Sequence, residues 1–431
     1  MAQQNTTTTM DGMFKTVYGE GPVNAIPEVS ILQKKIKFET SEKIGKSYNF
    51  PVILTNEAGV TYLAAGAGVS TLNDSIAAQL KEASVDANQI IVRGQMDYEA
   101  AAKAASGSKA AFKSATELLV MNLQETASKR VEIAMLYGQS STGLGLGDTS
   151  ANTSATVTVV TLTALTWAPG IWAGTENTAI NFFKASDDSL ISSSADAIFT
   201  ISAINYDDKK LTVTGTATGI TALDSHLSAG DAYIHFKGAK TNSTTWSEMV
   251  GLQKIATNTS TLFGISATTY SLWGGSTYSF GSAAATTAKL LNMAGRAVSK
   301  GGLIGEADII MSPKTFMNLS GTMTDLRRQN GGQKETEGIA GFETITIMGP
   351  NGKLNIVPHP MMKEGECLLI PMKQVRRIGS QEFSFQTPGR KDELFLHIPD
   401  KNAYELRTYT AQAVICLKPA QLVYGNAIVN T

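Results

Sequence analysis

The chain has 431 residues, a length that suits two or three domains or one domain with insertions. Its 42% hydrophobic residues, 17% charged residues and net charge of −1 indicate a folded protein and exclude a strongly basic nucleic-acid-binding protein. Cys367 and Cys416 are too few for a disulfide framework. The sequence contains no apolar run of about 18 residues, so it predicts no membrane-spanning helix.

The first quarter of the chain is predicted to be extended. Residues 1–45 form an arm that cannot bury a core alone and must lie on another surface. Gly45–Leu54 and Ala87–Gly94 are predicted to be strands. A further strand is predicted at Val60–Ala64 and a short helix at Ser70–Lys81. A projecting hairpin of this kind is marginal in water, so we expect a partner surface for it.

A long helix is the central prediction. Ser108 to Tyr137 contains neither Pro nor Gly, and thirty residues would form a rod of roughly 45 Å. Its apolar residues recur at three- and four-residue steps: Phe112, Ala115, Leu119, Leu123, Ala127, Val131 and Ala134. Gly138 follows at the position of a left-handed C-terminal cap. A helix of this length braces a larger structure, with an ordinary core helix as the alternative.

The rest of the chain is predicted to be a β-rich module followed by a helix-and-sheet body. Phe199–Ile204, Leu211–Thr214 and Tyr233–Phe236 predict strands of a small barrel or ribbon inserted into the main fold. An amphipathic helix follows at Ala283–Lys300, and Pro313 is expected to begin another that runs through Leu319. Strands up to the C-terminus complete a body of about 150 residues.

No pattern in the sequence predicts catalysis, so we assign no catalytic residue, no cofactor and no metal ligand. The histidines His226, His235, His359 and His397 lack the spacing of paired metal ligands. His359, between two prolines, is expected to be structural or merely exposed. The glycine-rich run at 143–147 lacks the Lys-Ser/Thr and the helix that a phosphate-binding loop requires.

The order of these parts resembles that of the tailed-bacteriophage major capsid proteins with the Hong Kong 97-like fold. The stretches that carry the resemblance are Lys129–Gly138, Thr166–Gly174, Thr261–Ile265, Ala307–Thr315, Ile356–Pro360 and Tyr404–Ala420. The first is similar to the end of the spine helix of that family, and the next two to segments that flank an insertion. The last three resemble the axial domain and the returning strands of the peripheral domain.

The resemblance implies an α+β fold of the Hong Kong 97-like type, with an inserted small β domain. Its parts are an N-terminal arm (1–45), an extended-loop hairpin (46–96), the spine helix with the start of the peripheral domain (97–150), a β-rich insertion (151–265), an axial domain (266–380) and C-terminal strands (381–431). The implied inter-subunit contacts of the extended loop are Lys46, Tyr48, Phe50 and Arg93. The spine helix is expected to pack through Phe112, Leu119, Leu123, Val131 and Tyr137.

The resemblance also implies a structural protein rather than an enzyme. Such a coat protein self-assembles as hexamers and pentamers into an icosahedral virion capsid around phage double-stranded DNA, after assembly in the host bacterial cytoplasm. Its expected partners are copies of itself, a separate scaffolding protein, a portal protein, a decoration protein on the insertion, and DNA bound without sequence preference; no membrane is involved. The alternatives are another self-assembling phage protein, such as a tail tube, or a β-rich enzyme with an unrecognised site.

Overall fold

A computed structural model of the protein describes residues 30–39, 47–99, 115–329, 345–385, 395–399 and 401–430. The helices are α1 Ile31–Lys35, α2 Ala115–Tyr137, α3 Pro169–Trp172, α4 Ala217–Leu227, α5 Leu252–Thr257, α6 Thr287–Gly301 and α7 Pro313–Gln329. The strands are β1 Phe38–Glu39, β2 Tyr48–Ile53, β3 Leu80–Val85, β4 Asn88–Asp97, β5 Leu146–Ser154, β6 Val157–Leu162, β7 Ala179–Lys184, β8 Phe199–Asn205, β9 Lys210–Thr214, β10 Ala232–Phe236, β11 Thr261–Leu262, β12 Ile265–Ser266, β13 Ser276–Ala283, β14 Ala307–Met311, β15 Ile345–Gly349, β16 Gly352–Pro358, β17 Cys367–Ile370, β18 Val375–Ser384, β19 Leu396–His397, β20 Ala403–Cys416 and β21 Val423–Ile428. No helix among the described residues is long and apolar enough to cross a membrane.

The long strand β20 organises the first sheet, whose order is β1-β18-β20-β19 with β4 also paired to β20. β4 runs antiparallel to β20 over its whole length, from Asn88 opposite Gln412 to Asp97 opposite Ala403. The predicted spine helix, α2, packs against β4 and β20. The base of the extended loop, formed by β2, β3 and β4, is called here its root. Through β4, the root is part of the same sheet as β20.

The described part of α2 begins at Ala115, so residues 108–114 of the predicted helix lie outside the described residues. Every residue from Val131 to Tyr137 is buried. The prediction of a left-handed Gly138 is wrong, because the left-handed residue after the helix is Gln139, with φ 54°. Gly138 is required for a different reason: a Cβ there would lie 2.1 Å from the Met249 carbonyl oxygen.

The chain leaves the body after α2 and forms a closed barrel with strand order β10-β5-β6-β9-β8-β7. Phe182 and Phe199 meet edge to face in its interior, with ring centroids 5.2 Å apart. The three strands predicted at 199–204, 211–214 and 233–236 are confirmed as members of this barrel. The barrel strands span residues 146–236, whereas residues 252–266 pack on the spine and on the root of the extended loop.

The second sheet has the order β13-β21-β17-β14-β16-β15. Its strand β14 is buried throughout, as predicted for Ala307–Met311, and pairs parallel to β16 and antiparallel to β17. Helix α6 covers this sheet with Leu290, Met293 and neighbouring apolar residues. Helix α7 begins at Pro313 as predicted but continues beyond Leu319 to Gln329.

The extended loop contains the largest departure from the predicted elements. β2 pairs with β3 over Tyr48–Ile53 and Leu80–Val85, but the residues between these strands form neither a helix nor a strand. The predicted strand at 60–64 and the predicted helix at 70–81 are therefore wrong. Local propensity does not decide the structure of this segment, because its apolar side chains have nothing in the described chain to pack on.

Candidate assembly surface

The root of the extended loop is fixed to the body of the same chain. Tyr48 and Phe50 lie on the inward face of β2, with their ring centroids 5.7 Å apart. Phe50 also packs on Trp273, at 6.2 Å between centroids, and Tyr48 lies beside a buried cluster that contains Ile378. The root therefore has a fixed place on the body, and the contacts of these two aromatic residues lie within one chain. Their predicted inter-subunit role stays a prediction.

The extended loop exposes most of its large apolar side chains, both at its tip and at the ends of its strands. Tyr62 is 92% exposed and Val69 is fully exposed. The other exposed apolar residues of the loop are Ile53, Val60, Leu63, Leu72, Ile76, Leu80 and Ile91. Single exposed apolar residues are ordinary, but a concentration of them on one projecting element marks an interaction surface.

The tip of the loop is held together mainly by polar side chains. Thr55 Oγ1 accepts a hydrogen bond from the Gln79 amide, and Thr61 Oγ1 accepts one from the Asn73 amide, each at 2.8 Å. The Asn73 side chain donates to the Val60 carbonyl oxygen, also at 2.8 Å. These bonds keep the two sides of the tip close together without burying their apolar groups, which stay available for another surface.

Arg93 lies on β4 and pairs with the buried carboxylate of Glu405 on β20. Glu405 also pairs with Arg407. On the other face of β4, Gly94 lies against the spine: a Cβ at this position would be 2.6 Å from Leu119 Cδ1. These contacts fix strand and spine together, and Arg93 keeps half of its side chain exposed.

The predicted spine residues occupy different depths. Leu123, Val131 and Tyr137 are buried and Leu119 is half-buried. Phe112, like Lys46 of the extended loop, lies outside the described residues.

A buried carboxylate connects the arm to the spine. Glu132 on α2 has no exposed surface, and its Oε1 accepts hydrogen bonds from the Leu32 amide at 2.6 Å and His359 Nε2 at 3.0 Å. Its Oε2 accepts from the Gln33 amide at 3.1 Å. Because His359 Nδ1 accepts from the Met361 amide at 3.1 Å, the ring proton lies on Nε2 and points at Glu132. One side chain thus joins three segments that are distant in sequence.

Further contacts hold the same arm segment. Leu32 and Ile36 are buried in the main core. Lys35 pairs with Asp308 of β14, and Glu39 pairs with Arg376 of β18 at 2.8 Å. The described part of the arm is consequently docked on its own chain.

A second buried polar network closes the end of the spine helix. Lys363 has no exposed side-chain surface, and its Nζ donates to the Gly143 carbonyl oxygen at 2.8 Å and to Thr142 Oγ1 at 3.2 Å. Its carboxylate neighbour is Glu366, at 3.7 Å, and the ammonium lies 4.4 Å from the Tyr137 ring centroid. Burial lowers the pKa of Lys363, and burial and the Glu366 carboxylate raise the pKa of Tyr137. This network fixes the glycine-rich segment to the returning chain.

Sequence reasoning missed both networks. Their signals are present but weak: Glu132 interrupts a stretch of apolar residues at the end of the spine helix, and Lys363 and Glu366 lie three residues apart. His359 is structural, which is one of the two outcomes expected for it. The described residues contain no group of three or more His, Cys, Asp or Glu that could hold a metal ion.

Comparisons with known proteins agree with this architecture. The sequence profile of the SU10 major capsid protein family matches residues 229–392, from the last barrel strand through most of the second sheet. No curated protein sequence matches the chain.

Two solved structures share the fold over the whole chain. The capsid asymmetric unit of cyanophage A-1(L) is 12% identical, with a TM-score of 0.56, and the alignment covers 99% of this chain and 100% of that one. The capsid of an empty GTA particle is 7% identical, with a TM-score of 0.52 and the same coverage. The shared fold confirms the prediction of a Hong Kong 97-like fold, and the match of residues 229–392 to a capsid-family model agrees with the resemblance to tailed-phage major capsid proteins.

Proposed function

We propose that copies of this chain assemble as hexamers and pentamers into an icosahedral shell around phage double-stranded DNA, and that the extended loop (46–96) binds a neighbouring subunit. The observation that carries the proposal is the run of exposed apolar side chains on a loop that has no core of its own. Burial of apolar surface is worth about 25 cal/mol per Å², so covering this run would favour association. Many modest contacts of this kind add up in a closed shell.

The rigid root supports this role for the loop. A loop that binds a neighbour loses less entropy on association when its base is already fixed. The root is fixed by β4 on β20 and by the packing of Phe50 against Trp273. Only the tip then remains to be ordered by the partner, and the polar bonds of Thr55, Thr61 and Asn73 already limit its freedom.

Charge supports an outward position for the inserted barrel. In the barrel sequence, residues 146–236, acidic residues outnumber basic ones, whereas the chain as a whole is nearly neutral. An acidic module is repelled by DNA phosphates, which favours the outer side of the shell, where a decoration protein would bind. Contact with DNA would come from basic residues elsewhere in the chain and would be independent of sequence and weakened by salt.

The remaining parts of the proposal follow the same division of the chain. Residues 1–45 serve as the arm, 97–150 as the spine and start of the peripheral domain, 266–380 as the axial domain and 381–431 as the returning strands. A scaffolding protein and a portal protein complete the assembly in the host bacterial cytoplasm.

The test removes the tip of the loop and keeps its root. Deletion of Ser47–Arg93 would also remove most of β4 and uncover β20, so a loss of shells would not be specific to the loop. Replacement of residues 56–77 by Asn-Gly is a more specific test of the loop tip. When the register of β2 and β3 is continued, Thr55 lies opposite Ala78, and a two-residue turn can join the two strands there.

We expect this variant to be folded, with circular dichroism and a melting temperature close to wild type, and to form no closed particles by light scattering and negative-stain microscopy. A matched variant that changes Tyr206 to Ala, an exposed aromatic residue of the barrel, should assemble normally. Closed particles from the tip-deleted variant at wild-type yield would refute the assignment of the loop.

A further inference from the structure

A short hairpin next to the inserted barrel lies against the root of the extended loop. This hairpin, residues 261–266 (β11 and β12), is called here the bracket hairpin. Its two turn residues, Phe263 and Gly264, both have left-handed backbones, with φ 53° and 82°. This is the arrangement of a two-residue turn that usually contains Asn-Gly. A phenylalanine in the left-handed region costs about 1 kcal/mol or more, so the position of this ring requires a physical reason.

The packing of the Phe263 ring explains why the protein keeps a phenylalanine at this left-handed position. Phe263 packs at the edge of the main core and of two smaller buried clusters at the loop root. One of these contains Leu54, Ala83, Ile265 and Trp273, and the other contains Val85, Ile378, Ala413 and Ile415. Phe263 therefore packs on the body and on the clusters that include Leu54, Ala83 and Val85 of the ribbon that begins the extended loop.

Hydrogen bonds fix the bracket hairpin in this place. The Phe263 carbonyl oxygen accepts from the Ser84 amide of β3 at 3.0 Å. Trp273, which is buried, donates its Nε1–H to the Leu262 carbonyl oxygen at 2.8 Å. The hairpin is thus bonded on one side to the ribbon and on the other to the indole on which Phe50 packs.

We propose that Phe263 is a positioning residue that sets the direction in which the extended loop projects, and through it the curvature with which copies of the chain join. A two-stranded ribbon has little rigidity of its own, so its direction depends on the contacts at its root. The ring is wedged between the ribbon and the body, so its loss lets the ribbon change its angle. The curvature part rests on the proposed function of the loop; the positioning part concerns the single subunit.

The experiment distinguishes loss of the Phe263 ring from disruption of the turn of the bracket hairpin. Phe263→Asn keeps a residue that accepts the left-handed backbone and removes the ring, whereas Phe263→Tyr keeps the ring. Leu272→Ala is the control, because Leu272 is exposed and adjacent to Trp273. Hydrogen exchange of residues 48–53 and 80–85 is measured in the unassembled full chain, and particle diameters are measured by electron microscopy after assembly.

We expect exchange at the loop root to be about tenfold or more faster in Phe263→Asn than in wild type, with β21 in the second sheet unchanged. Particles of this variant should have a broader or shifted diameter distribution, and Phe263→Tyr and Leu272→Ala should match wild type in both measurements. Unchanged exchange at the root, or equal acceleration throughout the chain, would overturn the positioning role. Faster exchange with wild-type diameters would overturn the link to curvature. If wild type forms no particles even when it is co-expressed with a scaffolding protein, the proposed function fails, and exchange alone decides the role of Phe263.

Discussion

The inserted barrel and the extended loop both extend from the same body, but the barrel buries its apolar residues and the extended loop exposes them. In the barrel, Phe182, Phe199 and Ile201 face a closed interior and have no exposed surface. In the extended loop, Tyr62 and Leu72 are largely exposed. The barrel buries its apolar surface within the chain, whereas the loop leaves most of its apolar surface exposed.

The topology explains this difference. A closed barrel pairs the backbone of all its strands and encloses a core, so it has no free edge. The ribbon of the extended loop has two strands and no second layer, which is too little to enclose a core. Under the proposed function, the barrel contributes to the stability of the subunit and the extended loop contributes to assembly.

The arm is a third case, between these two. Like the loop, it has no core of its own, but the described segment buries Leu32 and Ile36 on its own chain and bonds to Glu132. For residues 30–39, the predicted dependence on another surface is met within the subunit. Mutations in the barrel, the loop and the arm should therefore affect different measurements.

The largest expected effect on stability is that of Phe182→Ala in the barrel. Removal of this buried ring leaves a cavity beside Phe199 and should lower the free energy of unfolding by about 4 kcal/mol. Tyr62→Ala in the extended loop should change it by less than about 0.5 kcal/mol and reduce the yield of particles instead. Urea unfolding and light scattering on both variants test the contrast. A stability loss of similar size in the two variants would contradict it.

Elements with strong local patterns could be predicted from the sequence. Helix α6 has an amphipathic repeat, strand β14 is a continuous apolar run, and Pro313 begins α7 at the position that proline favours. In each case the local pattern and the final burial agree. The tip of the extended loop was predicted wrongly because Val60–Ala64 has the composition of a strand without a layer to pack on.

The buried polar junctions could not be predicted from local patterns. Glu132 and His359 are separated by 227 positions, and Glu132 and Leu32 by 100. A carboxylate on a helix is ordinarily solvated, and only the folded arrangement shows that its partners are two backbone amides and a histidine. The reason for Gly138 could not be predicted from local sequence either. The carbonyl oxygen that leaves no room for a Cβ at this position belongs to Met249, which is distant in sequence.

Glu132→Gln tests whether the arm depends on this junction. The partners of Glu132 are all hydrogen-bond donors, so a glutamine must turn its own NH2 group towards at least one of them. We expect a loss of about 3 kcal/mol, since a buried charged acceptor is removed and donors are left unpaired. Exchange of the Leu32 and Gln33 amides should rise before the rest of the chain unfolds.

The matched control is Glu39→Gln in the same arm. Glu39 pairs with Arg376 at 2.8 Å near the surface, where an ion pair contributes less than about 1 kcal/mol. Equal effects of the two substitutions on arm exchange would show that burial of Glu132 has no special role in holding the arm.

The smallest of the three effects concerns pH and the end of the barrel. His235 packs edge-on against Phe183 and Trp246, with centroids 5.4 and 5.3 Å away, and faces the charges of Lys240 and Lys363. Burial and these two lysines lower the pKa of His235 from 6.5 to about 3. The unfolded chain therefore takes up a proton at a higher pH than the native protein does. Stability that this group contributes above pH 6.5 is lost as the pH falls towards about 3.

Between pH 7 and pH 5 the expected loss through His235 is about 2 kcal/mol, because each pH unit below the unfolded pKa is worth about 1.4 kcal/mol. His235→Phe preserves an aromatic ring against Phe183 and removes the titration, so its unfolding free energy should decline less over this range. His397→Phe, at an exposed histidine of β19, should keep the wild-type slope. Urea unfolding at pH 7, 6 and 5 measures all three proteins. Parallel slopes for wild type and His235→Phe would mean that the barrel admits a charged histidine, and the barrel would then be a less closed unit than its strand pairing indicates.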